Sequence, residues 1–218
     1  MKVGSCYYDA SYFEWQCPGG ELSAILDRWK FEPFVGETDT VLDFGCGGGF
    51  LLAALPCGQR FGIEVNPSAR QKASALFNAH AEIQDLPDNL RFDVIISHHA
   101  LEHVDRPLDV IQELASRLKA TGKLVFVVPS ESWHAQKHYN QNDINQHLYT
   151  WTPQTLGNLF SHAGLHVKRV DLLCHTWLPF TGTVYRWIPR RLYHGLCQFW
   201  ALVSGTRQIR IVATTTSK

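Results

Sequence analysis

Val41-Leu42-Asp43-Phe44-Gly45-Cys46-Gly47-Gly48-Gly49-Phe50 is the stretch whose reading decides the fold. It reads as a buried strand that ends in an acid and feeds a turn with glycines at 45, 47 and 49. Glycine takes positive φ and lets a ligand come close to the main chain. A strand leading into such a turn in an open α/β sheet places that ligand at the strand's carboxyl end. The dinucleotide fingerprint needs its third glycine at position 50, which is Phe50 here. A nicotinamide dehydrogenase is therefore the weaker reading.

Two further stretches follow at the spacing of βα units. Phe61-Gly62-Ile63-Glu64-Val65-Asn66-Pro67 reads as a second strand ending in an acid, and Phe92 to Val104 holds a third strand followed by Leu101-Glu102-His103-Val104. With LDFGCGGGF, these segments resemble the ordered motifs of class I S-adenosylmethionine-dependent methyltransferases over the span Thr40 to Gly164. The resemblance implies a Rossmann-like, doubly wound α/β sheet of seven strands, mostly parallel, with strand seven antiparallel. It also implies S-adenosyl-L-methionine as cofactor. A lone glycine loop would carry little weight, but three ordered matches need three coincidences to be bland turns and solvated strand ends.

Composition narrows the partners. Twenty basic residues balance twenty acidic ones over 218 residues, so no global field draws nucleic acid, and none is expected as substrate. The six cysteines form no C-x-x-C pair, which argues against a structural zinc site; no metal is expected. Reduced thiols suit a cytoplasmic protein. The start lacks the apolar core of a signal peptide. No uncharged apolar run approaches the ~20 residues of a spanning helix.

The chain reads as an N-terminal helical lid over 1–39 and a catalytic domain over 40–218, with insertions at 130–151 and 174–205. Apolar residues at 22, 25, 26 and 29 predict a helix from Glu21 to Phe31. Strands are predicted at Thr40–Phe44, Arg60–Val65, near Ala81–Ile83, Phe92–Ser97, Lys123–Val128, Leu165–Leu173 and Gln208–Ala213. Helices are expected over Ser68–Ala79, Asp105–Ala120 (ended by Thr121-Gly122), and from Thr152-Pro153 to Gly164. Strands alternating with helices imply the parallel sheet. The insertion from Cys174 to Gly205 is rich in tryptophan, tyrosine and phenylalanine, with Arg186, Arg190 and Arg191 interspersed. It is expected to cap the sheet or form a homodimer surface, with contact at a membrane surface as the second reading.

Residue roles follow from the resemblance. Asp43 sits beneath the glycine loop, where Gly45, Cys46 and Gly47 meet the methionine portion of the cofactor through main-chain groups. Glu64, followed by Val65, takes the ribose hydroxyls. Counting back from Leu86-Pro87 puts Glu82 in the place of the adenine-binding acid and Ile83 against the ring, with Asp85 as runner-up. Ser97 and His98 leave their strand where the methyl end belongs.

The acceptor is expected to be a small molecule or a glycan, methylated at a hydroxyl. Removing that proton suits a histidine near neutral pH. Of eleven histidines, His98, His99, His103, His134, His138 and His147 fall in segments framing the cleft. His147 is the first candidate base, with Asp143 as its orienter if the segment is helical, since residues four apart share a face. His98 and His99 come next. The segment Asn142 to Pro153 and Arg207 to Val212 also resemble bacterial methyltransferases associated with surface polysaccharide. Methylation at nitrogen or carbon, and a catalytically silent cofactor-binding partner protein, are the competing readings.

Overall fold

The computed structural model describes residues 10–130, 139, 141 and 145–215. Its sheet has seven strands: β1 Thr40–Phe44, β2 Gln59–Ile63, β3 Asn78–His80, β4 Phe92–His98, β5 Leu118–Ser130, β6 Leu165–Leu173 and β7 Arg207–Thr215. Their order is β3-β2-β1-β4-β5-β7-β6, parallel except that β7 runs antiparallel between β5 and β6. The helices are α1 Ala10–Leu26, α2 Phe50–Ala53, α3 Pro67–Ser74, α4 Pro107–Ser116, α5 Pro153–His162, α6 Thr181–Val184 and α7 Arg190–Ser204.

Alternation along the strands builds two cores, because successive side chains point to opposite faces. Leu42, Phe44, Ile95, Leu124 and Phe126 join the packing that covers α4 and α5. Val41, Val94, Ile96, Val125 and Val127 face the other layer, against Leu51 and Leu52 of α2. Both faces of β1, β4 and β5 are thus covered, as a parallel sheet requires. The helix starts obey local chemistry: Asn66 Oδ1 accepts from the amides of Ser68 and Ala69, and Thr152 Oγ1 accepts from Thr155 N.

Four boundaries differ from the sequence expectations, one being the helix expected over Ser68–Ala79, which ends at Ser74 and gives way to β3. The first helix runs from Ala10 through Pro18 to Leu26, then breaks into 3-10 turns at Arg28–Lys30 and Glu32–Phe34. Packing on α2 and α3 carries α1 across a proline that local propensity reads as a stop. Strand β3 lies at 78–80 rather than 81–83, because Asn78, Ala79 and His80 pair with Phe61, Gly62 and Ile63. Thr121-Gly122 does not end a helix: α4 stops at Ser116, and the pair sits inside β5 where the register against β4 shifts. A Cβ on Gly122 would lie 2.8 Å from the carbonyl oxygen of Phe92. That close approach is why the bulge needs glycine.

Candidate functional site

The strand order reverses between β1 and β4, and a crevice forms at the carboxyl ends of strands flanking such a point. A cavity of about 460 Å³ opens there. Its floor is Asp43, Phe44, the glycine loop and Glu64; its far end is lined by Ser23 and Asp27, His98 and His99, Trp177, and Gln208. The size falls in the range of small-molecule sites.

The loop is built by backbone geometry. Gly45, Gly47 and Gly49 have φ of 76°, 54° and 81°, and a Cβ on Gly45 would meet the Cβ of Ala100 at 2.4 Å. At Gly47 nothing lies within 4 Å of where a Cβ would stand, so the main chain there borders open cavity. Gly45 N and Cys46 N both donate to Ile63 O, at 2.9 and 3.0 Å, and tie the loop to the end of β2. The Cys46 thiol is buried, and burial pushes its pKa well up. It contributes shape rather than a nucleophile.

Two acids define the floor. Glu64 accepts from Gly47 N and from Asn66 N, both at 2.8 Å, through different carboxylate oxygens. Burial raises its pKa despite those two amides. Asp43 is 2% exposed, and its Oδ1 has no hydrogen-bond partner among the described residues. Burial, with Glu64 adding to it, pushes Asp43 up to about 8. An unpartnered carboxyl beneath a loop of accessible main chain, beside a carboxylate at the next strand end, fits the cationic nucleoside that the motifs imply. Asp43 and Glu64 would hold its charged and ribose portions, and Val65, 38% exposed, borders the same opening.

The remaining cofactor candidates take other places. Ser97 is buried and its Oγ donates to Phe44 O at 2.9 Å, which fastens the end of β4 to β1 rather than facing the cavity. Ile83 belongs to the hydrophobic core. Glu82 forms a reciprocal cap with Asp85 at the 3-10 turn Ile83–Asp85. Neither Glu82 nor Ile83 lines the cavity.

The far end holds a buried charge network that none of the sequence motifs marks. Lys30, fully buried, pairs with Asp27 at 2.8 Å, and its Nζ lies 3.2 Å from His98 Nε2. Burial pulls down the Lys30 pKa, partly offset by Asp27. Burial works to raise Asp27, but Lys30 and then His98 outweigh it and hold the carboxylate well below its ordinary range. Trp177 Nε1 donates to Asp27 Oδ1 at 3.4 Å and Ser23 Oγ to Oδ2 at 3.1 Å. Asp27 therefore joins α1, β4 and the 174–205 insertion. An Asp-x-x-Lys pair amid Ile25, Leu26, Trp29 and Phe31 was the available signal, because acids and lysines are buried almost only in pairs.

Among the histidines, His98, His99 and His103 line the cavity. Burial, then the Lys30 charge, pushes His99 down to about 3 and holds His98 well below its ordinary value. Both rings are neutral near pH 7. His99 sits at φ 55°, and its Nδ1 lies 3.6 Å from an oxygen of the fully buried Glu102. His147 does not line the cavity; its ring packs on His103 with centroids 5.0 Å apart. Residues 145–150 are not helical. Asp143, His134 and His138 lie outside the described residues. Glu102, His103 and His147 bring one donor atom each within 4.8 Å of one another, a set able to hold a divalent cation.

Comparison with known proteins agrees with this geometry. A family model described as a methyltransferase domain matches residues 20–170. The mitochondrial ubiquinone biosynthesis O-methyltransferase of Candida albicans is 34% identical over 149 aligned residues, covering 50% of this chain and 45% of that protein. The chain thus spans less than half the length of that relative. A putative methyltransferase of Haloferax volcanii, solved in complex with the Trm112 methyltransferase activator, superimposes with a TM-score of 0.66 at 23% identity over 94% of this chain and 98% of its own. An S-adenosylmethionine-dependent methyltransferase of Archaeoglobus fulgidus gives 0.65 at 19% identity, over 93% and 98%. At those identities the two structures speak for the fold alone.

Proposed function

The chain belongs to the methyltransferase-domain family, with S-adenosylmethionine as its cofactor, and we propose that it methylates a hydroxyl of a small molecule or glycan. The observation that carries this reading is His99, a neutral imidazole on the cavity wall with Glu102 behind it. A hydroxyl acceptor must lose a proton as it attacks carbon, whereas an amine need not lose one first. When bound, the cofactor supplies an activated methyl and a neutral thioether leaving group. Glu102, 3.6 Å from His99 Nδ1, and Gln208, bonded to the same ring, orient the imidazole that takes the acceptor's proton. Ser23, Asp27 and Gln208 offer hydrogen bonds, and Trp177 an aromatic edge, to orient a phenol or a sugar. The ubiquinone-pathway relative, itself named an O-methyltransferase, supports the same chemistry.

The test is release of S-adenosylhomocysteine with catechols, quinols, sugars and simple amines. Turnover confined to hydroxyl acceptors is expected, and turnover with amines alone would overturn oxygen transfer. His99→Gln should lower turnover by at least ~10², the lower end of what a general base contributes, with cofactor affinity kept. His147→Gln should cost less, since that ring stands behind the cavity wall. The reverse ranking would move the proton acceptor to His147.

Asp43 adds a pH signature. With its pKa near 8, the carboxyl is largely protonated in the free protein at pH 7. A cationic ligand favours the ionised form, so binding should release a proton and tighten as pH rises from about 6.5 to 8. Calorimetry in buffers of different ionisation enthalpy measures that proton. Asp43→Asn should abolish the release, and equal enthalpies for the wild type in every buffer would exclude this role.

A further inference from the structure

Helix α7 carries two apolar stripes. Tyr193, Cys197 and Ala201, four residues apart, are buried against the rest of the chain. Leu192, Leu196, Phe199 and Val203 repeat on a neighbouring face, and all four are exposed, with Phe199 at 65% and Val203 at 62%. Trp187 and Phe180, preceding the helix, are 84% and 85% exposed. A helix of a soluble core normally spends its outer face on charge. A continuous exposed apolar surface of this kind marks an interaction site.

Charge identifies the occupant. No acidic residue follows Asp171, while Arg186, Arg190, Arg191, Arg207 and Arg210 do, in a chain whose net charge is zero. Arg210 is spent on Asp171, with its guanidinium at 2.8 Å. Arg186, Arg190 and Arg191 are exposed beside the apolar stripe. A large aromatic and aliphatic face flanked by arginines, on a segment that has no acid of its own after Asp171, complements an anionic bilayer surface: the apolar stripe enters the acyl boundary and the guanidinium groups meet headgroup phosphates. No helix among the described residues is long and apolar enough to cross a membrane. We propose that the α7 face, with Trp187 and Phe180, docks this protein on anionic lipid. The same insertion contributes Trp177 to the cavity, so docking would present the acceptor end toward molecules held in that membrane.

Flotation of the purified full chain with phosphatidylglycerol-containing vesicles, and with pure phosphatidylcholine vesicles, tests the proposal. The wild type should float with the anionic vesicles at low salt, and the floated fraction should fall several-fold at high salt and on pure phosphatidylcholine. Phe199→Asp/Val203→Asp should reduce it at least several-fold, as should Arg190→Glu/Arg191→Glu. All these side chains are exposed, so the circular dichroism and cofactor affinity of both variants should match the wild type. Wild-type protein left at the bottom of the anionic gradient overturns the proposal, as does a Phe199→Asp/Val203→Asp variant that floats normally. A wild-type dimer that the same variant splits, with no flotation, assigns the face to a second copy instead and equally overturns it.

Discussion

Glu64→Ala is expected to weaken S-adenosylmethionine binding by about 100-fold or more, since hydrogen bonds to a charged group are worth ~1.5–3 kcal/mol each and 1.4 kcal/mol is tenfold. The carboxylate does two jobs with its lone pairs. One oxygen accepts from Gly47 N and the other from Asn66 N, which fixes the glycine loop relative to the start of α3. Each oxygen keeps a second lone pair for the ribose diol. Alanine removes both functions, whereas Glu64→Gln keeps one acceptor oxygen and should lose less. The melting temperature should change little, because burial already disfavours this carboxylate in the free protein. Isothermal calorimetry decides it: unaltered affinity in Glu64→Ala would remove Glu64 from cofactor binding.

Lys30→Met should lower stability by ~3–5 kcal/mol, the cost of leaving one partner of a buried ion pair uncompensated. At roughly 2–4 °C per kcal/mol for a chain of this size, the melting temperature falls by about 10 °C. The orphan in that variant is Asp27, which loses its 2.8 Å partner while 4% exposed. Asp27→Leu/Lys30→Met removes both charges and should regain most of the loss, since well-packed apolar replacements of buried pairs are often neutral. A thermal melt of the two variants separates a charge pair from mere packing: equal melting temperatures would show that the pair contributes nothing specific. The double variant should still be a poor enzyme, because Asp27 and the Lys30-bound His98 line the far end of the cavity, where we propose the acceptor binds.

The parallel sheet was legible because its strands are continuous apolar runs closed by acids and glycines. Thr40–Phe44 and Leu165–Leu173 lie where the pattern places them. Short β3 was misplaced because three residues carry no period; pairing with β2 positions them. Local reading also took Thr121-Gly122 for a helix stop, when a close carbonyl demands the glycine inside a strand. The glycine loop, Asp43 and Glu64 were readable since one βα unit contains each of them. The far end of the cavity was not. Asp27, His99, Trp177 and Gln208 come from four distant parts of the chain, and only the folded sheet gathers them. Sequence spacing points to His147, which stands four residues from Asp143, whereas the carboxylate beside His99, Glu102, is placed by the turn after β4.

The position of β7 has a consequence for how the molecule is made. It is synthesised after every strand it touches, yet it lies inside the sheet, with Lys123–Ser130 on one side and Leu165–Leu173 on the other. A nascent chain can assemble β1 to β5 in order of emergence, but the edge of β5 then stays open, and β6 has nowhere to pair. Unpaired edges of this kind recruit other chains. Within this sheet, β7 closes the gap between β5 and β6 only after both have been made, so the open edge of β5 is exposed until that strand inserts.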